Sequence, residues 1–422
     1  MRVELAYGRL GATVEVPDSA EVVLPVDAPA LVDEAGAIAA ALRRPSSGPP
    51  LRDVLREAGL EPGRVAVVFP DLTRPMPNRT VLPPLLAELE RCDVPDGRIT
   101  LLCATGTHRR ATPAEMAELI GPDLVARYTV VDHDARSGDH VRVGEVDGTP
   151  VLLQREYVEA DVRIVTGFVE PHFFAGFSGG PKAVCPGLAA TETILEAHHP
   201  RRIADARATF VTREGNPVHD FVRAATALAP PQFSVDVAIN RSRRVTAVFA
   251  GPLTPTHDAA CGHVGAAAVR AVDAPFDLVV STNGGHPLDR NLYQAVKGMA
   301  AAERILRDRG IVVMAAACED GVPEGGAFAR LLAEADTPGD LIGATAGPEL
   351  DRWQAQVLGR VVDRADVQLY SEGLSDDTIR DAQLTPVRDL GRAIDAAVDQ
   401  LAPSARVAVL PEGPLTVATV RP

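Results

Sequence analysis

"RVAVVFPDLTRP", residues 64–75, decides how this chain folds. Its first seven residues are almost unbroken in apolar side chains, and its last five form a polar turn. An apolar run without alternation suits a strand covered on both faces. The same pattern recurs in "RITLLCATG" at 98–106, "DVRIVTG" at 161–167, "FDLVVSTNGG" at 276–285 and "GIVVMAA" at 310–316. Each run leads through a turn into a helical pattern. The expectation is an α/β protein with mostly parallel sheets. One helix start is explicit in "TPAE", 112–115: Thr112 can cap, Pro113 suits the first helical position, and Glu115 completes a capping box.

The 422 residues are enough for more than one domain. "AVDAP", 271–275, reads as a linker. It divides an N-terminal α/β domain over 1–270 from a second α/β domain over 275–403, with the active-site cleft between them. The last strand-like run, "ARVAVLP" at 405–411, is expected to carry the tail 404–422 back to the first domain.

A formal net charge of −15 argues against nucleic acid and anionic membranes as partners, because both select a basic field. It leaves room for a small anion held by a few local cations. No run of about 18 apolar residues is present, so no membrane span is expected. The N-terminus lacks a basic segment leading into an apolar one, so no signal peptide is read. The five cysteines, 92, 103, 185, 261 and 318, form no CxxC pair. A reducing cytoplasm is therefore the expected setting.

In open α/β sheets, ligands bind beyond the carboxyl ends of strands. Four such ends here deliver polar or glycine-rich loops. Asp71 and Arg74 follow the first; the planar fork of an arginine suits a carboxylate, although a surface ion pair in a turn is the plainer reading. Thr105, Gly106 and Thr107 follow the second, offering amides and hydroxyls to an anion, and His108 comes next. The third loop is "GFVEPHFFAGFSGGPK", 167–182. In it Phe173 and Phe174 can wall a dry pocket beside His172. Gly179 and Gly180 permit close backbone approach. The spacing before Lys182 is not that of a Walker loop. From the residues alone, Lys182 is open to three uses: binding phosphate, forming a Schiff base, or carrying a covalent cofactor.

Further on, "TETILEAHHP", 191–200, reads as a helix capped by Thr191 and ended by Pro200, with His198 and His199 at its C-terminus. Those histidines either complement the helix dipole or bind a metal. In "NLYQAVKG", 291–298, Tyr293, Gln294 and Lys297 share one helical face, by default a solvated one. Trp353 is the sole tryptophan.

The ordered set, above all "EPHFFAGFSGGPK" followed by the "AHH" segment, resembles the nickel-pincer-nucleotide-dependent lactate racemase family. The resemblance runs from Asp71 to about Trp353. It implies a racemase or epimerase of 2-hydroxy acids. The implied cofactor is a nickel-pincer nucleotide, a pyridinium mononucleotide with two sulfur-bearing arms, tethered to Lys182 and made by dedicated cofactor-synthesis enzymes. By the same resemblance His198 is the nickel ligand, with His199 as the alternative. His108 and His172 are the acid/base pair. Asp71, Arg74, Gln294 and Lys297 orient those histidines or bind substrate, and Phe174, Tyr293 and Trp353 line the pocket. Two other readings compete: a metal-dependent hydrolase built on His172, His198 and His199, and a non-catalytic carboxylate-binding protein.

Overall fold

A computed structural model describes residues 1–59, 63–343 and 345–421. Two six-stranded sheets organise it. In the first, the strands run in the order Val245–Gly251, Phe233–Ile239, Val162–Phe168, Val65–Pro70, Ile99–Ala104 and Thr129–Asp132. All neighbours are parallel except the edge strand Val245–Gly251, which is antiparallel. The second sheet is parallel throughout. Its order is Thr385–Val387, Asp366–Tyr370, Leu306–Ala315, Phe276–Thr282, Val407–Leu410 and Glu21–Val22. The α/β expectation is met, and the apolar runs are the central strands. Val67, Val68, Val279 and Val280 are fully buried because helices cover both faces of each sheet.

Strand adjacency places the site. Val162–Phe168, Val65–Pro70 and Ile99–Ala104 lie side by side and parallel, so the loops that leave them emerge at one edge. The capping box at Thr112 and Glu115 starts the helix Pro113–Ile120 as expected. The largest core cluster is continuous between the sheets, from Val68 and Val165 to Val279 and Met314.

Both chain ends depart from expectation. The tail 404–422 does not rejoin the first sheet: Val407–Leu410 lies between Phe276–Thr282 and Glu21–Val22 in the second. The N-terminal hairpin of Arg2–Leu5 and Ala12–Glu15 also packs on the second sheet, through Val3, Leu5 and Val14 against Leu278 and Val280. A buried parallel strand reads alike whichever sheet it enters, so "ARVAVLP" carries no address. The 271–275 linker overlaps a strand, Val269–Val272, which pairs in parallel with Val417–Val420.

Candidate active site

The first two loops meet at a histidine–carboxylate pair. Asp71, buried beyond the strand Val65–Pro70, lies 2.9 Å from Nδ1 of His108. A carboxylate accepts, so His108 presents Nδ1–H to it and leaves Nε2 free to take a proton. Thr73 donates to the other Asp71 oxygen at 2.8 Å. Burial alone would raise the Asp71 carboxyl, but His108 and then Arg74 outweigh it and hold the group below its usual range. Gly106 turns the second loop with φ +58. The Thr105 hydroxyl is already committed to Asp132.

His172 is held differently. It pairs with Gly176 in a two-residue hairpin, and its Nδ1 accepts the backbone N–H of Ala175 at 3.2 Å. Neutral His172 therefore carries its proton on Nε2, the reverse of His108. Its ring stacks on Phe173 at 4.9 Å and meets Phe174 edge-on at 4.5 Å. Burial, then the charges of Lys182, Lys297 and Arg74, push its pKa well below the ordinary histidine value.

The loop before Lys182 runs through Gly179 at φ +75 and Gly180 at φ +51. A Cβ on Gly180 would lie 2.3 Å from the His257 ring, so only glycine fits. Gly180 N–H donates to Asp236 at 3.2 Å, and His257 Nε2–H to the Ser178 carbonyl at 2.9 Å. Lys182 then points into the cleft. Burial, followed by Arg74 and Lys297, lowers its amine to about 7.

The helix Thr191–Ala197 starts one residue away from expectation. Ala190 is the cap residue, and the Thr191 hydroxyl turns back to the Ala135 carbonyl at 2.9 Å. His198 follows the helix and is buried against Phe174 and Trp353, with the Trp353 ring 4.5 Å away. Its Nδ1–H donates to the Ile194 carbonyl at 2.9 Å, so Nε2 is free to act as a ligand. Burial, then Lys182, lowers its pKa to about 3. His199 turns elsewhere: its Nδ1 accepts from Arg201 N–H and caps the short helix Pro200–Ile203. Pro200 opens that helix instead of merely ending the previous one.

The second sheet supplies the opposite wall. Asn291 caps the helix Leu292–Glu303. Tyr293, Gln294 and Lys297 do share a face, but that face looks into the cleft and not into bulk solvent. Lys297 donates to Gln294 Oε1 at 2.6 Å, and Trp353 Nε1–H to the Tyr293 hydroxyl at 2.7 Å. Burial, then Arg74, lowers Lys297 to about 7.

These residues enclose one cavity of about 130 Å³. Asp71, Arg74, Thr105, Gly106, Thr107, His108, His172, Phe174, Gly179, Lys182, His198, Tyr293, Gln294, Lys297 and Trp353 all line it. Of the residues singled out from the sequence, Gly180 sits just behind the wall and His199 lies outside it. Three cations, Arg74, Lys182 and Lys297, face a cavity whose only carboxylate among the described residues is Asp71. In a chain of net charge −15 this makes the cavity a candidate anion site.

Residues 7–210 match the lactate racemase N-terminal domain, and residues 271–418 match the lactate racemase C-terminal domain. The chain belongs to the lactate racemase family. A lactate racemase of Thermoanaerobacterium thermosaccharolyticum is 34% identical over 357 residues, 83% of each chain. A lactate racemase of Lactiplantibacillus plantarum is 34% identical over 369 residues, 86% of each. The solved lactate racemase apoprotein of T. thermosaccharolyticum superposes with a TM-score of 0.90 at 32% identity, covering all of both chains. A Thermotoga maritima protein shares the fold at TM-score 0.73 and 18% identity, over 94% of this chain and all of that one.

Among the residues in and around the cavity that the sequence did not single out are Asp236 and Gln354. Asp236 holds the glycine loop from mid-strand, and a lone carboxylate inside "FSVDVAI" (233–239) was the available signal. Gln354 lines the cavity beside Trp353, and nothing in its local sequence marks it.

Proposed function

We propose that this protein is an isomerase that inverts C2 of a 2-hydroxy acid, using a nickel-pincer nucleotide tethered to Lys182. The single observation that carries the reading is the convergence, in one cavity, of two histidines held in opposite tautomers, a cation pair, a lysine and a metal-competent His198. The residues fit such a group. Lys182 offers an amine of lowered pKa, His198 offers Nε2, and the loop at Gly179 brings backbone close to the cavity. When bound, the group supplies reversible acceptance of hydride from C2.

The chain's own residues supply the rest. Arg74 and Lys297 hold the carboxylate, so C2 turns over while the acid stays anchored. His108 Nε2 takes the hydroxyl proton, and Asp71 stabilises the imidazolium that results. His172 meets the oxygen from its own side, first as an Nε2–H donor. To accept a proton there it must adopt the other tautomer and give up the Ala175 bond. Phe173, Phe174 and Trp353 keep water from the keto acid. Dedicated cofactor-synthesis enzymes are the implied partners.

A zinc-type hydrolase is disfavoured because it needs about three protein ligands. His199 is turned away, and no cluster of three His, Cys, Asp or Glu side chains suited to a metal occurs among the described residues. The test uses nickel-loaded protein and substrate deuterated at C2. Inversion with the label retained in ordinary water is expected; washout from the first turnover would end the reading.

A further inference from the structure

The inner cavity is not closed. Between Thr107 and His108 on one side, and Tyr293 and Gln294 on the other, it opens into a vestibule of about 690 Å³ that these four residues also line. That volume lies within the roughly 300–1,000 Å³ typical of small-molecule pockets. Arg74 and Lys297 line the inner cavity and not the vestibule, so a longer acid whose carboxylate they hold can extend its tail past His108 into the vestibule.

The vestibule wall has a distinct chemistry. Arg109, Arg136 and Arg290 face Asp320, Glu324 and Asp351, three cations against three anions. Two of the arginines are committed, Arg109 to Glu115 at 2.6 Å and Arg290 to Asp320 at 2.9 Å. A second carboxylate on the substrate would meet no net positive field. An alkyl or aromatic tail would find Leu72, Pro287, Pro323 and the Tyr293 ring as apolar partners, set among the charged side chains of the wall. It would also strip water from charged groups without replacing their hydrogen bonds. A chain of hydroxyls both donates to the carboxylates and accepts from the arginines.

The geometry points to a polyhydroxylated 2-hydroxy acid, of the aldonic acid class, as the substrate, with its hydroxyl-bearing tail in this vestibule. This rests on the C2-inversion reading proposed above. The experiment compares C2 inversion of gluconate, malate, phenyllactate and lactate by the nickel-loaded protein, with Arg136→Leu and Glu324→Leu beside the parent. Both substituted residues are exposed and lie outside the inner cavity.

Gluconate should have the highest kcat/KM. Losing a hydrogen bond to a charged group, each substitution should lower it roughly tenfold for gluconate while leaving lactate within about twofold. Preference for lactate, phenyllactate or malate would overturn the assignment, as would equal losses on gluconate and lactate in both variants. Ligand-observed NMR on cofactor-free protein gives a second readout: gluconate should bind more tightly than lactate, and equal binding counts against the vestibule. If no acid is inverted at all, the C2-inversion reading itself falls, and this inference with it.

Discussion

Nδ1 of His198 donates to the carbonyl oxygen of Ile194, four residues back in the helix that His198 caps, at 2.9 Å. That bond fixes the ring and leaves Nε2 free at the cavity wall, with the Trp353 ring 4.5 Å away and the Phe174 ring edge-on at 5.4 Å. His199, its neighbour, is spent on capping the next helix. His198→Ala should therefore lose nickel from protein produced with the cofactor-synthesis enzymes, while His199→Ala should keep it. Metal analysis alongside intact mass is the check, and the reverse pattern would reassign the ligand.

Asp71 governs which nitrogen of His108 carries the proton. Asp71→Asn preserves shape but offers an amide that can donate to Nδ1, leaving the proton on Nε2, where a base needs a lone pair. Misplacing a general base typically costs about 10²–10⁴ in rate. Asp71→Asn should show that loss in kcat with nickel content and thermal midpoint unchanged. A drop in nickel would instead place Asp71 in cofactor retention.

How far these arrangements were legible in the sequence differs from element to element. The strands were plain, because "RVAVVFP" and its kin are short apolar runs bounded by turn signals, the mark of a strand covered on both faces. The loops that follow them were legible for the same reason: three neighbouring parallel strands must deliver their loops to one edge. The sheet address of Val407–Leu410 was not legible, since pairing partners of a buried parallel strand are set by the whole topology. Nor was the setting of Lys297. Helical spacing puts Tyr293, Gln294 and Lys297 on one face, but only the opposing unit turns that face into a cleft wall. The choice between His198 and His199 hung on where a helix ends within one residue, which periodicity does not resolve.

As the proposed carboxylate partner, Lys297 should make substrate binding pH-dependent. With its free-protein pKa lowered to about 7 by burial and Arg74, it is cationic below that value and loses its charge above it. A carboxylate binds the cationic form, so the bound pKa rises. KM for the acid should therefore climb as pH rises through about 7, with kcat changing less over the same interval. Lys297→Arg, whose guanidinium does not titrate there, should flatten the KM profile. An unchanged slope in Lys297→Arg would move the titration to another group.

His108 and His172 start in opposite tautomers, and this leads to a test that ordinary steady-state rates cannot provide. The ratio of kcat/KM in the two directions is fixed by the overall equilibrium constant, whichever residue is replaced, so a histidine variant must slow both directions of inversion in proportion. The half-reaction escapes that constraint. In a single turnover of the proposed reaction, the hydroxyl proton would pass to the histidine on that enantiomer's side while the C2 hydride passes to the bound group, and the two losses together would leave the 2-keto acid. His108→Ala should abolish keto-acid formation from one C2 configuration and spare it from the other, and His172→Ala should show the opposite selectivity. The spared reaction in His108→Ala should be slow to start, because His172 must first release the Ala175 N–H at 3.2 Å before its Nε2 can accept a proton. Rapid quench with chromatographic detection of the keto acid, using each pure configuration in turn, gives the measurement. Equal suppression of both configurations in both variants would mean that one histidine serves both sides, and the paired roles assigned here would have to be withdrawn.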